Sequence, residues 1–297
     1  MLTPPPPITI IIPTLCSAQR ADSLRRAIAS VRLAGPGIAT ILIAANGPYV
    51  DADLAAELQL QRDAQYVYFE EGSAPKTIAA TLPLVDSEYF GFLDDDDELL
   101  PDSLIQRLAI LQHAATSDIV LSNGYLRTSG NDTIYLRHLV DVPANPLETF
   151  FVENWLPSCG ALFRRSSVSS GYFFDFHPYA EWYWLAFRLA MENKKFCILN
   201  EPTFRVNADT PSSLSKSSEY HKSYISLYQK MLALNPPSHI QKILRKRLSQ
   251  AHHDVSAGFL QHGDVRNATY HHLLSLRILS GLRFLTYTRH IVSTALK

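Results

Sequence analysis

A run of five acidic residues, Asp94–Glu98, is the part of the sequence best suited to chemistry. It directly follows the apolar segment Tyr89–Leu93, and a helical pattern begins near Pro101, so the carboxylates stand in a short turn after a predicted strand. Adjacent carboxylates repel one another unless a cation joins them, and hard oxygen ligands suit Mg²⁺ or Mn²⁺ together with a diphosphate. The alternative is a solvated acidic stretch, the usual role of such runs.

The elements that must position this turn alternate regularly in the first hundred residues. Predicted strands at residues 8–12, 40–44, 65–69 and 89–93 alternate with helices at 24–31, 54–60 and 78–85. This order predicts a parallel sheet with helices on both faces, and ligands of such sheets bind outside the carboxyl ends of the strands. The loops that we expect to form the site are Thr14–Arg20, Asn46–Val50, Gly72–Lys76 and Asp94–Glu98.

The pattern becomes less regular after Pro101. Apolar segments predict strands at residues 118–122, 133–139, 159–163, 196–199 and 203–206, with helices at 104–111 and 179–191. Beyond a polar loop at 209–218, the remainder of the chain is helical in pattern. We therefore predict an α/β domain over residues 1–215 and a helical, basic region over residues 216–297.

Charge is divided unevenly along the 297 residues, although the formal net charge is only -1. Residues 241–297 carry +7 and residues 1–240 carry -8. The acidic bulk argues against a nucleic-acid partner, because such binding requires basic surfaces that neutralise phosphates. The basic end mixes Leu, Ile and Phe with Arg at helical spacing, which is typical of helices that lie on an anionic membrane. A helical cap with a solvated basic face is the alternative.

The sequence predicts neither a targeting segment nor a membrane span. The N-terminus has no basic stretch, and the prolines Pro4–Pro7 interrupt any helix there. No run of about 18 uncharged apolar residues is present. Three widely spaced cysteines exclude a disulfide framework. We therefore expect a cytoplasmic protein, placed peripherally on the inner face of the membrane if the basic end binds lipid.

Taken in order, these motifs resemble the family 2 glycosyltransferases of the GT-A fold. The resemblance rests first on three segments: the strand and Pro-Thr of Ile8–Thr14, the Leu-Asp-Asp-Asp-Asp sequence of Leu93–Asp97, and its continuation Glu98–Leu104. The helix Glu181–Leu189 is similar to the family's Glu-Asp-x-x-Leu-x-x-Arg-Leu. The likeness covers about residues 8–215 and implies a Rossmann-like, mostly parallel sheet with helices on both faces, followed by the helical region.

The resemblance also implies roles for the acidic run. Asp94 and Asp95 would contact the ribose or the metal-bound sugar nucleotide. Asp96 would hold the divalent metal, Mn²⁺ or Mg²⁺, and Asp97 would support it.

Other donor contacts are implied outside the run. Pro13 and Thr14 would lie beside the base, and Lys76 would contact the diphosphate or ribose. Arg205 and the polar segment 212–215 resemble the closing loop near the diphosphate.

Two positions depart from the family pattern. The second strand usually ends in Asp-Asp-Gly-Ser or Asp-Asn-Gly-Ser, but residues 45–48 read Ala-Asn-Gly-Pro, so Asn46 would meet the base without a carboxylate. Trp182 stands where the catalytic Asp is usual. Inverting transfer needs a general base, for which Glu181 is the preferred candidate and Asp175 the weaker one. The alternative is that Glu181 has no catalytic role and is simply a helix-start residue, whose carboxylate the helix dipole favours.

The acceptor side is predicted from aromatic residues. Trp182 and Tyr183 flank Glu181, and sugar rings stack on aromatic faces, although packing in the core is the alternative. We expect transfer of a hexosyl group from a nucleotide-sugar donor to a glycan or lipid-linked acceptor in cell-surface polysaccharide biosynthesis. The rival hypothesis is a non-catalytic relative that binds sugar nucleotide or glycan without turnover, motivated by Ala45 and Trp182.

Overall fold

The computed structural model describes residues 6–209 and 218–296. These residues divide into two compact units: the first contains residues 6–176 and 185–209, and the second contains residues 177–184 and 218–296. The predicted domain boundary between residues 215 and 216 and the predicted closing segment 212–215 lie outside the described residues.

Nine strands within the described residues form one sheet in the first unit. They are β1 (Ile8–Thr14), β2 (Ala39–Asn46), β3 (Ala64–Phe69), β4 (Tyr89–Phe92), β5 (Glu98–Leu99), β6 (Ile119–Thr128), β7 (Asn131–Ile134), β8 (Ala161–Arg164) and β9 (Phe196–Asn207). Their order is β3-β2-β1-β4-β8-β6-β9-β5, with β7 paired to β6. The first four strands are parallel, as are β6 and β9, whereas β5, β7 and β8 pair antiparallel. The prediction of a mostly parallel sheet is confirmed.

Helices surround this sheet. Those of the first unit are α1 (Ala21–Ala34), α2 (Ala52–Gln59), α3 (Ala74–Thr81), α4 (Ser103–His113), α5 (Pro146–Val152) and α6 (Gly171–Phe174), with short 3₁₀ turns at Ala18–Arg20, Leu82–Leu84 and Leu139–Asp141. Helix α7 (Glu181–Met191) has its first turn in the second unit and the remainder in the first.

Local sequence explains the elements nearest the acidic run. Every residue of β1 is buried, which fits its β-branched composition. Leu24, Ile28 and Val31 recur at helical spacing on the buried side of α1. Asp51 caps α2, since its side chain accepts a hydrogen bond from the Leu54 N–H. These elements form the apolar core on which the carboxyl edge of the sheet rests.

Three predicted strand segments take a different form. Of the segment predicted as a strand at 133–139, only Thr133 and Ile134 belong to β7, because Asn123 instead binds both backbone groups of Leu136, at 2.8 and 3.0 Å. The segments 196–199 and 203–206 are one strand, β9. Its register against β6 shifts between Leu199 and Pro202, which accommodates the residues that separated the two predicted strands.

The second unit is helical, as predicted. It contains α8 (Ser218–Ala233), α9 (Ser238–Gln261), α10 (Val265–Leu276) and α11 (Thr288–Ala295), with a 3₁₀ helix at Leu279–Tyr287. Helices α9 and α10 approach closely, because Ser256 donates to the Ala268 carbonyl at 2.6 Å and Ser249 to the Ser275 carbonyl at 2.8 Å. Among the described helices, none is both long enough and apolar enough to cross a membrane.

Candidate active site

The carboxyl ends of β1, β2 and β4 bring three of the predicted residues together. Thr14 ends β1, and its hydroxyl donates to Asp95 Oδ2 at 2.6 Å. Asn46 ends β2, and its Nδ2 donates to the Thr14 carbonyl at 3.0 Å. All three side chains are buried. Since the parallel register places Thr14 beside Ala45, the edge of the sheet itself positions this contact.

Arg20 is a member of the cluster that sequence reasoning did not single out. Its Nη1 lies 2.7 Å from Asp95 Oδ1 and 3.1 Å from Asp96 Oδ2. It projects from the 3₁₀ turn that precedes α1. The available signal was modest: Arg20 is the one basic residue of the loop Thr14–Arg20. Its guanidinium reduces the repulsion among adjacent carboxylates, which the sequence assigned to a metal alone.

Three further hydrogen bonds, from Ser158 and Asn207, hold the acidic turn. Ser158 Oγ donates to Asp94 Oδ2 at 2.6 Å. Asn207, the last residue of β9, donates its N–H to Asp97 Oδ1 at 2.9 Å and its Nδ2 to the Asp96 carbonyl at 2.6 Å. No spacing in the sequence indicates either partner, because Ser158 lies 64 residues and Asn207 110 residues from the carboxylate that it binds.

Burial governs the electrostatics of the turn. Desolvation raises the pKa of Asp95, while the hydrogen bond from Thr14 and the charge of Arg20 oppose that rise. Desolvation followed by the charge of Asp94 raises the pKa of Asp97 well above its usual range. Asp97 is therefore a buried anchor of the turn, while Asp96 retains partial exposure at its outer side.

Other predicted donor residues have partners elsewhere. Lys76, in α3, forms an ion pair with Glu71. Arg205, in β9, lies 2.8 Å from Asp132 and 3.5 Å from Glu98, the last acid of the run. Pro13 is a buried residue of β1. Their assignment to the diphosphate, ribose or base therefore stays a prediction.

The predicted base and acceptor residues lie in the second unit. The Tyr179 N–H donates to Glu181 Oε1 at 3.1 Å, and desolvation raises the pKa of Glu181. Arg247 Nη1 donates to the Tyr183 hydroxyl at 2.6 Å. Trp182 is half-buried beside them in the first turn of α7.

The weaker candidate for the base lies in the first unit. Asp175 Oδ2 is 3.5 Å from Arg188 Nη1, so its charge faces a guanidinium. Because Arg188 already engages this carboxylate, Asp175 remains the weaker candidate for taking a proton from the acceptor.

The oxygen donors of the acidic turn fit a divalent metal that arrives with a phosphate ligand. Mg²⁺ is usually held by one or two carboxylates, with waters and substrate phosphates completing its coordination. Asp94 and Asp96 supply two such carboxylates at the edge of the sheet. Among the described residues, no group of three or more His, Cys, Asp or Glu side chains could hold a metal. The residues therefore suit a shared protein and diphosphate site rather than a closed protein cage.

Solved structures with a similar architecture include proteins from S. aureus and Pyrobaculum calidifontis. The structure of S. aureus TarS 1-349 with UDP-GlcNAc has a TM-score of 0.61 and 11% identity, over 83% of this chain and 72% of that one. The structure of S. aureus TarS 1-349 without a named ligand has a TM-score of 0.56 and 12% identity, over 88% of each chain. The structure of the mannosyltransferase PcManGT from Pyrobaculum calidifontis, in complex with GDP-Man and Mn²⁺, has a TM-score of 0.53 and 13% identity. The match covers 99% of this chain and 87% of that one. A search of the curated proteins found no match.

The mixed sheet, its surrounding helices and the polar cluster at its carboxyl edge define a GT-A glycosyltransferase fold. The sequence profile described as Glycosyl transferase family 2 matches residues 9–172, more than half of the chain. The chain belongs to glycosyl transferase family 2. The resemblance first carried by the Pro-Thr and acidic motifs is thereby confirmed, together with the enzyme class.

Proposed function

We propose that this chain transfers a hexosyl group, with inversion, from a nucleoside-diphosphate sugar to a glycan or lipid-linked acceptor in cell-surface polysaccharide biosynthesis. The observation that carries the proposal is the cluster of Thr14, Arg20, Asp95 and Asp96 at the carboxyl edge of the parallel strands. This is where ligands of such sheets bind. The two neighbours solved with UDP-GlcNAc and GDP-Man support a nucleotide-sugar donor.

The donor end of the site is proposed to combine two buried anchoring carboxylates with two partly exposed ones. Asp95 is held by Thr14 and Arg20, and Asp97 by Asn207. Asp94 and Asp96 are the carboxylates that would hold Mn²⁺ or Mg²⁺. A bound metal would neutralise the diphosphate and make it a better leaving group.

Base recognition is proposed to involve Asn46. Its Nδ2 is used by the Thr14 carbonyl, which leaves Oδ1 as the atom suited to accept an N–H of the base. Pro13 and Thr14 would lie beside the base, and Lys76 and Arg205 would contact the diphosphate or ribose after leaving their present carboxylate partners.

The chemical step requires one proton transfer and one substitution. The acceptor hydroxyl attacks the anomeric carbon, forming a new C–O bond as the bond to the diphosphate oxygen breaks. Glu181 takes the hydroxyl proton, a role favoured by a desolvated carboxylate with a raised pKa. Trp182 and Tyr183 would stack on the acceptor sugar. Attack opposite the leaving group gives inversion.

The decisive experiment compares wild type with Asp96→Asn and a matched control. Asp53→Asn changes an exposed carboxylate in α2 and leaves the acidic turn intact. Released nucleoside diphosphate is measured with UDP- and GDP-sugars, with and without Mn²⁺. Wild type and D53N are expected to turn over in the presence of metal, and D96N to lose about a thousandfold or more of kcat/KM.

The same experiment separates the rival function. A non-catalytic relative is favoured by Ala45 and Trp182, which replace residues usual in the family. Wild type that is stabilised against heating by a donor, yet releases no nucleoside diphosphate with any donor, would establish binding without turnover. Turnover that is equal in D96N and wild type would remove Asp96 from the metal and donor assignment.

A membrane location is part of the proposal, because a lipid-linked acceptor is reached from the bilayer surface. The basic helical end of the chain is its basis.

A further inference from the structure

Exposed apolar side chains accumulate at the end of the second unit. Leu282, Leu285, Val292 and Leu296 are 49%, 52%, 51% and 82% exposed. We refer to these four residues together with Arg289 as the C-terminal surface. Isolated exposed leucines are common on proteins, so the question is whether these form one continuous patch.

Two observations make the patch continuous. An open groove of about 800 Å³ is lined by Leu285, Arg289, Val292 and Leu296, together with Thr286, Thr288 and Ser293. Leu282 precedes Leu285 by three residues in the 3₁₀ helix, where residues three apart share one side. The four apolar side chains therefore follow one stripe that runs from the 3₁₀ helix onto α11.

The opposite side of the same segment is already packed. The Phe284 ring stacks on His253 with centroids 3.9 Å apart, and the Tyr287 ring lies 4.8 Å from the same imidazole. Ile291 is buried. The inner side of this segment therefore packs in the second unit, while the four outer apolar side chains remain about half exposed or more.

The charge around the C-terminal surface is of one sign. Residues 265–297 contain no Asp or Glu, and the arginines at 266, 277, 283 and 289 are exposed. Over the described residues, none of these four forms an ion pair with a carboxylate. In contrast, arginines of the first unit are paired in this way, namely Arg20, Arg25, Arg26, Arg32, Arg127, Arg164, Arg188 and Arg205.

We propose that the C-terminal surface docks on the headgroups of an anionic lipid bilayer. The leucines and Val292 would enter the boundary between headgroups and acyl chains, and Arg289 with its neighbouring arginines would pair with lipid phosphates. A second copy of the chain would set one unpaired basic surface against another, which electrostatic repulsion disfavours. The proposal deepens the proposed function by assigning its membrane location to named residues.

Vesicle co-sedimentation tests the surface without any turnover, so its result is independent of the glycosyl transfer. The full chain is mixed with phosphatidylcholine vesicles, or with vesicles in which about a third of the lipid is phosphatidylglycerol. Wild type is expected to sediment with the anionic vesicles only, and to dissociate from them at about 1 M salt. Arg289→Gln should weaken binding about fivefold, and L285S/L296S at least about tenfold.

The matched control is L60S/R62Q, which removes an exposed leucine and an exposed arginine from the first unit. It should bind vesicles as wild type does. Equal binding of all variants, equal binding to both vesicle types, or no binding by wild type would overturn the proposal.

Self-association is measured in parallel by light scattering. A dimer that L285S/L296S dissociates, with vesicle binding unchanged, would overturn the lipid assignment in favour of a second copy. Equal far-UV circular dichroism and melting temperature show that a variant is folded. If L285S/L296S does not fold, the vesicle binding of Arg289→Gln and the salt dependence of wild-type binding still test the lipid assignment.

Discussion

The carboxyl edge of the sheet and the C-terminal helices use charge in opposite ways. At the edge, Asp95 and Asp97 are buried and held by Thr14, Arg20 and Asn207. In the helical unit, His252 and His272 are buried, whereas the arginines at 266, 277, 283 and 289 are exposed, and none of these four forms an ion pair with a carboxylate among the described residues. The first arrangement fixes atoms in place, as a reacting site requires. The second leaves charge available, as a binding surface requires.

Burial also shifts the pKa values of the two regions in opposite directions. Desolvation disfavours the charged form of any group, so it raises the pKa of Asp95 and Asp97 but lowers the pKa of His252 and His271. The acidic turn compensates with hydrogen bonds and a guanidinium. The histidines stay neutral and pair with each other, 3.1 Å apart between their Nδ1 atoms. The two regions therefore differ in what accompanies burial: charged and polar partners at the acidic turn, and a neighbouring imidazole at His252.

The strongest challenge to this division is Glu181, an acid of the second unit proposed to do chemistry. Glu181→Gln should lower kcat by about a hundredfold to ten-thousandfold and leave donor binding unchanged, because it removes only the base. The glutamine carbonyl can still accept the Tyr179 N–H, so the start of α7 is preserved. Single-turnover rates and donor dissociation constants measure the two quantities.

The control for that prediction is Glu201→Gln, at an exposed position of β9. A purely structural Glu181 would give wild-type kcat in E181Q and a loss of stability only in Glu181→Ala.

Packing of the sheet gives the next largest effect. A Cβ at Gly124 would lie 2.3–2.5 Å from ring carbons of Phe204, which is itself fully buried. Gly124→Ala should therefore lower the free energy of unfolding by about 2–4 kcal/mol. Urea unfolding measures the change. The same substitution in a Phe204→Leu background should be markedly less harmful, and equal losses in both backgrounds would contradict the steric reason.

Buried histidines should make the second unit sensitive to acid. Desolvation and then the charge of His271 lower the pKa of His252 to about 4, from the ordinary histidine value of 6.5. Below pH 6.5 His252 binds a proton in the unfolded chain but stays neutral in the folded chain. The free energy of unfolding therefore falls as the pH decreases toward 4. His252→Leu should reduce this loss by about 1–2 kcal/mol between pH 7 and 5.

Urea midpoints at the two pH values measure that difference. His262→Gln, at an exposed position of the same helical unit, is the control and should keep the wild-type pH dependence. An unchanged pH dependence in H252L would show that other groups cause the acid sensitivity.

Sequence reasoning succeeded where neighbouring residues decide the structure. The buried run Ile8–Thr14 and the apolar segment before Asp94 have the composition of strands in any context, so their carboxyl ends and the acidic turn could be placed together. A parallel sheet covered by helices followed, because strand and helix alternate in the first hundred residues, and the resemblance to family 2 glycosyltransferases implied the GT-A fold. The bounds of these elements differ from the predicted ones by a few residues, as helix caps and strand ends depend on later contacts.

Tertiary contacts account for what could not be predicted. Arg20 and Asp95 are 75 residues apart in sequence, and Asp97 meets Asn207 across 110 residues. No local periodicity encodes such pairs. The same holds for Asn123, whose side chain binds the backbone of Leu136 and ends a segment that alternation alone predicts as a strand. The sequence therefore indicates where the site lies but not which groups hold it.

The smallest predicted effect contrasts a second glycine with Gly124. Gly258 lies inside α9, and a Cβ there would meet nothing within 4 Å. Gly258→Ala should raise the free energy of unfolding by about 0.5–1 kcal/mol, because alanine loses less backbone entropy in a helix. Urea unfolding measures the gain. A loss of stability instead would mean that the position is crowded and that the open space around this Cβ does not decide the effect.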